Sequence, residues 1–148
     1  MGLFVWGDER LFRYNLHMSS FSLVIHGAPY TSQASLSALH FCRAALASDH
    51  TIYRLFFFQD GVHNASALIV PPQDELHIPN AWQQLIQQHA IDAIVCVSSA
   101  LKRGIVNDEE AARYDKNGGN VLPGFTVGGL GQLVDAVQHS DRLLSFAP

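Results

Sequence analysis

The sequence predicts a single α/β domain, a three-layer doubly wound fold with a mostly parallel sheet and helices on both faces. Short apolar runs rich in Val, Ile and Phe alternate along the chain with segments whose apolar residues recur at helical spacing. Strands that alternate with helices are joined in parallel by helical crossovers. A chain of 148 residues can bury about 70 % of its unfolded surface in one core.

The first half of the chain is predicted to contain two strands and two helices. In chain order they are a strand over 21–26, a helix over 36–47, a strand over 52–58 and a helix that begins at Asn80. Each strand is a β-branched or aromatic run closed by turn residues, at Gly27 and at 59–61. A loop that carries His63 precedes the second helix, whose predicted apolar face consists of Trp82, Leu85, Ile86 and His89.

The second half is predicted to contain two strands and three helical segments. In chain order they are a strand over 91–97, a short helical turn that ends at Gly104, a helix that begins at Asn107, a helix with apolar residues over 130–137 and a strand over 142–146. Asn107 is a favourable N-cap, because acidic residues fill the first turn and Glu110 follows three residues later. The glycine-containing segment 116–119 is expected to stop that helix.

Residues 1–17 are interpreted as an N-terminal extension outside the fold, and residues 18–148 as the single domain. The apolar run 1–6 is too short for a signal-peptide core, and charged residues follow it at once. One explanation is an upstream translation start, with Met18 as the functional start. The alternative is an N-terminal arm that docks on the domain.

Composition argues against several classes of function. A formal net charge of −4 without a basic stripe disfavours direct binding of nucleic acid. No apolar run approaches the ~20 residues of a membrane span. The two cysteines, Cys42 and Cys96, match neither a disulfide framework nor a zinc site, which indicates a reducing, cytoplasmic setting. Because only 15 % of residues are charged, partner subunits are expected to cover part of the surface.

Cys96 is the candidate catalytic residue, because it ends a predicted strand where the chain turns into a helix. Function is usually built at the carboxyl ends of strands in an open α/β sheet, and helix N–H groups favour the thiolate. Burial of Cys96 as a core residue is the alternative. Cys42 shares an apolar helical face and is interpreted as structural. Lys102 and Arg103 either lower the pKa of Cys96 or only complement the end of the short helix.

The other candidate motifs favour structural roles. The eight histidines are scattered without metal-ligand spacing, although His63 follows a strand and could pair with Cys96. The glycines of 128–131 lack the Lys-Ser/Thr of a phosphate-binding loop, so close backbone packing explains them better. Trp82 and the aromatic run 56–58 are expected in the core or at an interface, with exposed aromatics around Trp82. The sequence signals no cofactor and no metal.

The order and spacing of several stretches resembles the DsrE/TusD family of small sulfurtransferase subunits, and its TusD-like members most. The resemblance covers 23–146 and rests on the stretches 27–30 with Gln33-Ala34, 55–65, 81–85, 96–104, and 124–126 with 129–131. It implies a DsrE-like fold of flavodoxin-like architecture. It also implies that the cysteine of the segment Val95-Cys96-Val97 carries sulfur as a persulfide.

The resemblance further implies a place in a sulfur relay. Such subunits work beside TusB-like and TusC-like subunits in a heterohexamer, accept sulfur from a TusA-like carrier and pass it to a TusE-like acceptor. The sulfur is destined for 2-thiouridine at the wobble position of tRNA, whereas DsrEFH-type relatives serve sulfur oxidation. Passing sulfur from thiol to thiol needs no metal, nucleotide or flavin.

Three hypotheses follow for the function. The first is a cytoplasmic sulfurtransferase subunit that uses Cys96. The second is a flavodoxin-like scaffolding subunit in which Cys96 is an inert core residue. The third is a thiol-redox or peroxide-sensing protein that uses the same low-pKa thiol differently.

Overall fold

Five parallel strands form one sheet in the computed structural model, which describes residues 18–148. The strands are β1 (Ser20–Ile25), β2 (Thr51–Phe57), β3 (Asp92–Cys96), β4 (Phe125–Gly128) and β5 (Arg142–Phe146), in the spatial order β4-β3-β2-β1-β5. Each neighbouring pair is parallel, which confirms the predicted fold class. The extension predicted at 1–17 lies outside the described residues.

Helices cover both faces of this sheet. They are α1 (Ala34–Ala47), α2 (Ile78–His89), α3 (Val97–Leu101), α4 (Asp108–Arg113) and α5 (Gly131–His139), and a 3₁₀ helix spans Gln59–Ala65. The chain steps from β1 to β4 in one direction and then crosses back to β5 on the far side of β1. Right-handed crossovers therefore put α1 and α2 on one face and α5 on the other. None of the helices within 18–148 is long and apolar enough to cross a membrane.

The core divides into two clusters, one on each face of the sheet. The larger cluster joins the sheet to α1 and α2, and alternate residues of β1 and β2, such as Leu23 and Leu55, face it. The smaller cluster lies on the α5 face and consists of Val24, Phe56, Ile94 and Cys96, with Phe58 and Leu133 packed against it. Cys96 thus belongs to the thinner, single-helix side of the fold.

Trp82 anchors α2 inside the larger cluster and is fully buried. Its indole Nε1 donates a hydrogen bond to Ser35 Oγ at 3.0 Å, and the Ser35 hydroxyl donates to Asn64 Oδ1 at 2.5 Å. Asn64 Nδ2 in turn donates to the carbonyl oxygens of Gly27 and Gly61, both at 2.9 Å. Trp82 therefore lies in the core, one of the two places expected for it, and its own ring is not among the exposed aromatics.

Several boundaries differ from the sequence prediction. The prediction misses β4, which has only four residues, and treats the 3₁₀ helix as a loop. α2 begins before Asn80, because His77 Nδ1 accepts a hydrogen bond from the Asn80 N–H at 3.2 Å and Pro79 fits the first turn. α4 ends at Arg113, before the segment 116–119. His89 is exposed and does not share the buried face of α2.

Candidate functional site

The carboxyl ends of β2, β3 and β4 build the candidate site around Cys96. Cys96 is the last residue of β3 and the N-cap of α3, so the chain turns from strand to helix directly at the thiol. Its side chain belongs to the α5-face cluster, with Phe58 and Leu133 packed against that cluster. The residue is only 1 % exposed. Chemistry at this thiol therefore requires that part of its surroundings move aside.

Ser98 and Ser99 determine the acidity of the Cys96 thiol. The Ser98 hydroxyl oxygen lies 3.4 Å from Sγ and can donate to it when the thiol is ionised. Burial opposes ionisation, but hydrogen bonds from the side chains and backbone N–H groups of Ser98 and Ser99 outweigh it and lower the pKa of Cys96 below the ordinary 9.0. The start of α3 was expected to favour the thiolate, and the groups that do so are those of Ser98 and Ser99.

Arg103 ties α3 to the 3₁₀ helix at the rim of the site. Its guanidinium forms an ion pair with Asp60 at 2.7 Å and donates to the carbonyl oxygen of Ser99 at 3.2 Å. The hydrogen bond from Arg103 lowers the pKa of Asp60 below 3.8. The backbone N–H of Gln59 donates to Ser99 Oγ at 3.1 Å and adds a second link. Arg103 was expected either to lower the pKa of Cys96 or to complement the end of the short helix, and these contacts favour the second role.

Lys102 lines a groove beside α3 and is not among the groups that lower the pKa of Cys96. The groove has a volume of about 470 Å³, and its walls are Leu101, Lys102, Val106, Tyr114 and Lys116. Lys102 and Lys116 are the only lysines of the sequence. The groups that lower the pKa of Cys96 belong to Ser98 and Ser99, so Lys102 is not needed for that effect.

Two histidines lie at or near this edge of the sheet. Among residues 18–148, no hydrogen bond links His63 to Cys96, so the structure does not bring the conceived Cys–His pair together. His26, which directly follows β1, packs edge-on against Phe58 with 5.7 Å between the ring centroids, and its Nδ1 lies 3.1 Å from Gln59 Oε1. Within the same described range, no three His, Cys, Asp or Glu side chains are grouped as metal ligands.

Cys42 lies in α1, on the opposite face of the sheet from the Cys96 side chain. It is fully buried in the larger core cluster, as its place on an apolar helical face predicts. Burial raises the pKa of the Cys42 thiol to about 12. Of the two free cysteines, only Cys96 therefore has a pKa lowered from the ordinary value.

Gly128 is the close-packed glycine of the 128–131 segment. It pairs with Cys96 in the β3–β4 register, and a Cβ at this position would collide with Gln132 Oε1 and lie 3.0 Å from Ile94 Cγ2. Gly129 and Gly131 have open space where a Cβ would be. Close packing is thus confirmed at Gly128 alone. Gln132 was not predicted as a site residue, because only the strand register reveals that it lies near Cys96.

Comparison with known families decides where the chain belongs. Residues 19–146 match the DsrE/DsrF-like family. The chain belongs to that family. Within the family it is 48 % identical over 126 residues to a DsrE protein of Allochromatium vinosum, a match that covers 85 % of this chain and 97 % of that protein.

Two further relatives carry the name TusD. A sulfurtransferase TusD homolog of Pseudomonas aeruginosa is 48 % identical over 126 residues, which cover 85 % of this chain and 95 % of the homolog. Sulfurtransferase TusD of Serratia proteamaculans is 41 % identical over 129 residues, which cover 87 % of this chain and 100 % of that protein. The crystal structure of the ychN protein from E. coli shares the fold, with a TM-score of 0.70, 20 % identity, and coverage of 87 % of this chain and 100 % of that one.

Proposed function

We propose that this DsrE/DsrF-like chain is a sulfurtransferase subunit and that Cys96 carries the transferred sulfur as a persulfide. One observation carries the proposal: hydrogen bonds from Ser98 and Ser99 lower the pKa of a thiol at the carboxyl end of a central strand. The thiolate is the form that attacks a sulfur–sulfur bond. The relatives named sulfurtransferase TusD, at 48 % and 41 % identity, support the same activity.

The transfer is an exchange between a thiolate and a persulfide. The Cys96 thiolate attacks the outer sulfur of a donor persulfide, R–S–SH; a Cys96 S–S bond forms, the donor S–S bond breaks, and the donor leaves as the thiolate R–S⁻. In the second half of the cycle, an acceptor thiolate attacks the outer sulfur on Cys96 and releases the Cys96 thiolate. Electrons and atoms balance in each half, so no external oxidant or reductant takes part.

The family resemblance supports a wider role in tRNA thiolation. In this role a TusA-like carrier donates the sulfur, a TusE-like protein accepts it, and the chain works in a cytoplasmic heterohexamer with TusB-like and TusC-like subunits. The sulfur finally reaches the 2-position of the wobble uridine. With a formal net charge of −4, this chain is poorly suited to hold RNA itself, so another protein of the relay does so.

A carrier role in sulfur oxidation, of the DsrEFH type, is the second candidate. It is favoured by the DsrE protein of A. vinosum, which is as similar to this chain as the TusD homolog of P. aeruginosa, at 48 % identity each. The persulfide step on Cys96 is the same in both roles. Only the final acceptor differs, and formation of 2-thiouridine in tRNA by the loaded chain with its relay partners distinguishes the two.

Mass spectrometry tests the sulfur-carrying step. The chain is incubated with a TusA-like carrier that a cysteine desulfurase has persulfidated, and we expect a gain of about 32 Da on Cys96, one sulfur atom. Cys96→Ser is the matched control and should gain nothing. An unloaded Cys96 that still reacts with iodoacetamide would favour the scaffolding hypothesis. Sulfenic acid formed under mild peroxide in preference to a persulfide would favour redox sensing.

A further inference from the structure

Gln132 has a buried carbonyl oxygen that no described group satisfies. Among residues 18–148, Oε1 of this side chain is inaccessible to solvent and has no hydrogen-bond partner. Buried acceptors are nearly always paired, because leaving one unpaired costs free energy that folding does not recover. An orphaned side-chain oxygen next to a candidate site therefore points to a group that arrives during function.

The strand register puts this oxygen beside Cys96. Cys96 and Gly128 are direct partners across β3 and β4, and partners in a parallel sheet present their side chains to the same face. Gln132 Oε1 lies over Gly128, where a Cβ would be. Ile94 Cγ2, from the same strand as Cys96, lies 3.0 Å from that position. Adjacent strands are about 4.8 Å apart, so the carboxamide and the thiol are neighbours on one face.

The backbone holds the carboxamide in this position. Arg54 Nη1 donates to the main-chain carbonyl oxygen of Gln132 at 2.7 Å, and the Gln132 N–H donates to the carbonyl oxygen of Gly129 at 3.2 Å. Helical side chains lean towards the helix N-terminus, which carries the carboxamide of this second helical residue back over Gly128. Gly128 has no Cβ, and this is what leaves the space.

We propose that Gln132 is a positioning residue that holds the outer sulfur of the Cys96 persulfide, an inference that rests on the proposed function. The bare thiol takes its hydrogen bonds from Ser98 and Ser99 and leaves the carboxamide oxygen of Gln132 unpaired. A persulfide extends the side chain by one S–S bond of about 2 Å, which brings its outer sulfur within hydrogen-bond reach of the neighbouring carboxamide. The carboxamide oxygen accepts from an outer S–H group, and its N–H₂ group donates to the anion after the amide turns over.

Loss of the bound sulfur tests this assignment. Wild type and Gln132→Met, an uncharged variant of similar length, are loaded with glutathione persulfide and then challenged with excess cysteine, and the adduct of about 32 Da is followed by intact-protein mass spectrometry. We expect Gln132→Met to load but to lose sulfur about fivefold to tenfold faster, the effect of one hydrogen bond. Gly128→Ala, whose methyl group displaces the carboxamide, should behave in the same way.

The controls separate this role from a structural one. Gln138→Met changes an exposed glutamine of the same helix and should retain sulfur as wild type does. The pH dependence of alkylation should shift in Gln132→Met only for the persulfide and not for the reduced thiol, because the thiol depends on Ser98 and Ser99. A loaded Gln132→Met that keeps its sulfur as long as wild type would overturn the assignment of Gln132 and leave the proposed function standing. A wild-type chain that never loads would overturn the proposed function together with it.

Discussion

Arg54 forms an ion pair with Asp135 at 2.6 Å and thereby fastens α5 to β2. The same guanidinium binds Asp92 at 2.6 Å, and the Tyr53 hydroxyl donates to Asp135 at 2.8 Å. Asp135 also lies 2.9 Å from His139 on the next turn of α5. Because Leu133 of this helix packs against the cluster that contains Cys96, the ion pair holds in place part of what buries the thiol.

Weakening that ion pair should expose Cys96. Asp135→Asn removes the charge that attracts Arg54, so α5 should open more often and the urea midpoint should fall. We expect iodoacetamide to alkylate Cys96 at least about threefold faster, because local opening controls access to a buried thiol. Asp74→Asn, in the exposed loop before α2, is the control and should leave the rate unchanged. An unchanged rate in Asp135→Asn would show that α5 does not limit access.

The two cysteines should respond to substitution in opposite ways. Cys96→Ser should fold normally but accept no sulfur, since the nucleophile is lost. Cys42→Ala should keep transfer activity and lose about 1 kcal/mol of unfolding free energy, because it removes one buried atom from the core. Persulfide mass spectrometry and urea titration measure the two effects. A folded Cys42→Ala variant that cannot transfer sulfur would reverse the assignment of roles.

Ser98→Ala should make Cys96 less reactive near neutral pH. The Ser98 hydroxyl contributes to the lowered pKa of Cys96, so its removal raises that pKa and leaves less thiolate below it. We expect the alkylation rate at neutral pH to fall by up to about tenfold. At high pH, where both proteins are fully ionised, the rates should converge. Ser37→Ala, at an exposed position of α1, is the control, and a parallel fall at every pH would argue against an effect on ionisation.

Cys42 should make the fold sensitive to alkali. Its pKa is about 12 in the folded chain against an ordinary 9.0, so above pH 9 the unfolded chain releases a proton that the folded chain retains. This contribution to stability is complete below pH 9 and is lost as the pH rises towards 12, by up to about 1.4 kcal/mol per pH unit. Urea titrations at increasing pH should show a smaller loss for Cys42→Ala. Equal losses in the two proteins would contradict this account.

The outer face of α5 should govern association. Leu130, Val134 and Val137 follow helical spacing and are each more than half exposed, although they are large and apolar. The chain alone should therefore self-associate, and co-expression with TusB-like and TusC-like subunits should give one discrete complex. Val134→Glu should abolish co-purification without unfolding the chain, whereas Gln138→Glu should not. Light scattering that shows a soluble monomer indifferent to those subunits would refute the expectation.

The sequence predicted the parts of the fold that depend on local pattern. β1, β2, β3 and β5 are apolar runs with clear ends, and Cys96 was chosen as the candidate because it ends such a run. β4 was missed, because four residues between glycines show no readable alternation and the strand is defined by its pairing with β3. Periodicity put Trp82 on the apolar face of its helix. It could not show that the ring is completely buried, because the indole is held there by a hydrogen bond to Ser35 in another helix.

The site was predicted only as far as single positions allow. Gln132 lies beside Cys96 through a register between strands that are far apart in sequence, and no local motif announces it. His26 could have been noticed, because it follows β1 as directly as Cys96 ends β3, and parallel strands end at one edge. Part of the burial of Cys96 comes from Leu133 of α5, a helix that no local pattern around Cys96 predicts to be its neighbour.

The groove beside α3 contains both lysines of the sequence, so chemical cross-linking through lysine is confined to it. Because Lys102 and Lys116 both line it and the sequence has no other lysine, amine-reactive reagents can attach to the folded domain only there, apart from the terminal amine. Any neighbouring subunit captured through a lysine must therefore have approached this one wall of the molecule. Lys102 follows α3, the helix whose N-cap is Cys96, so each captured neighbour reports on contacts made beside that helix.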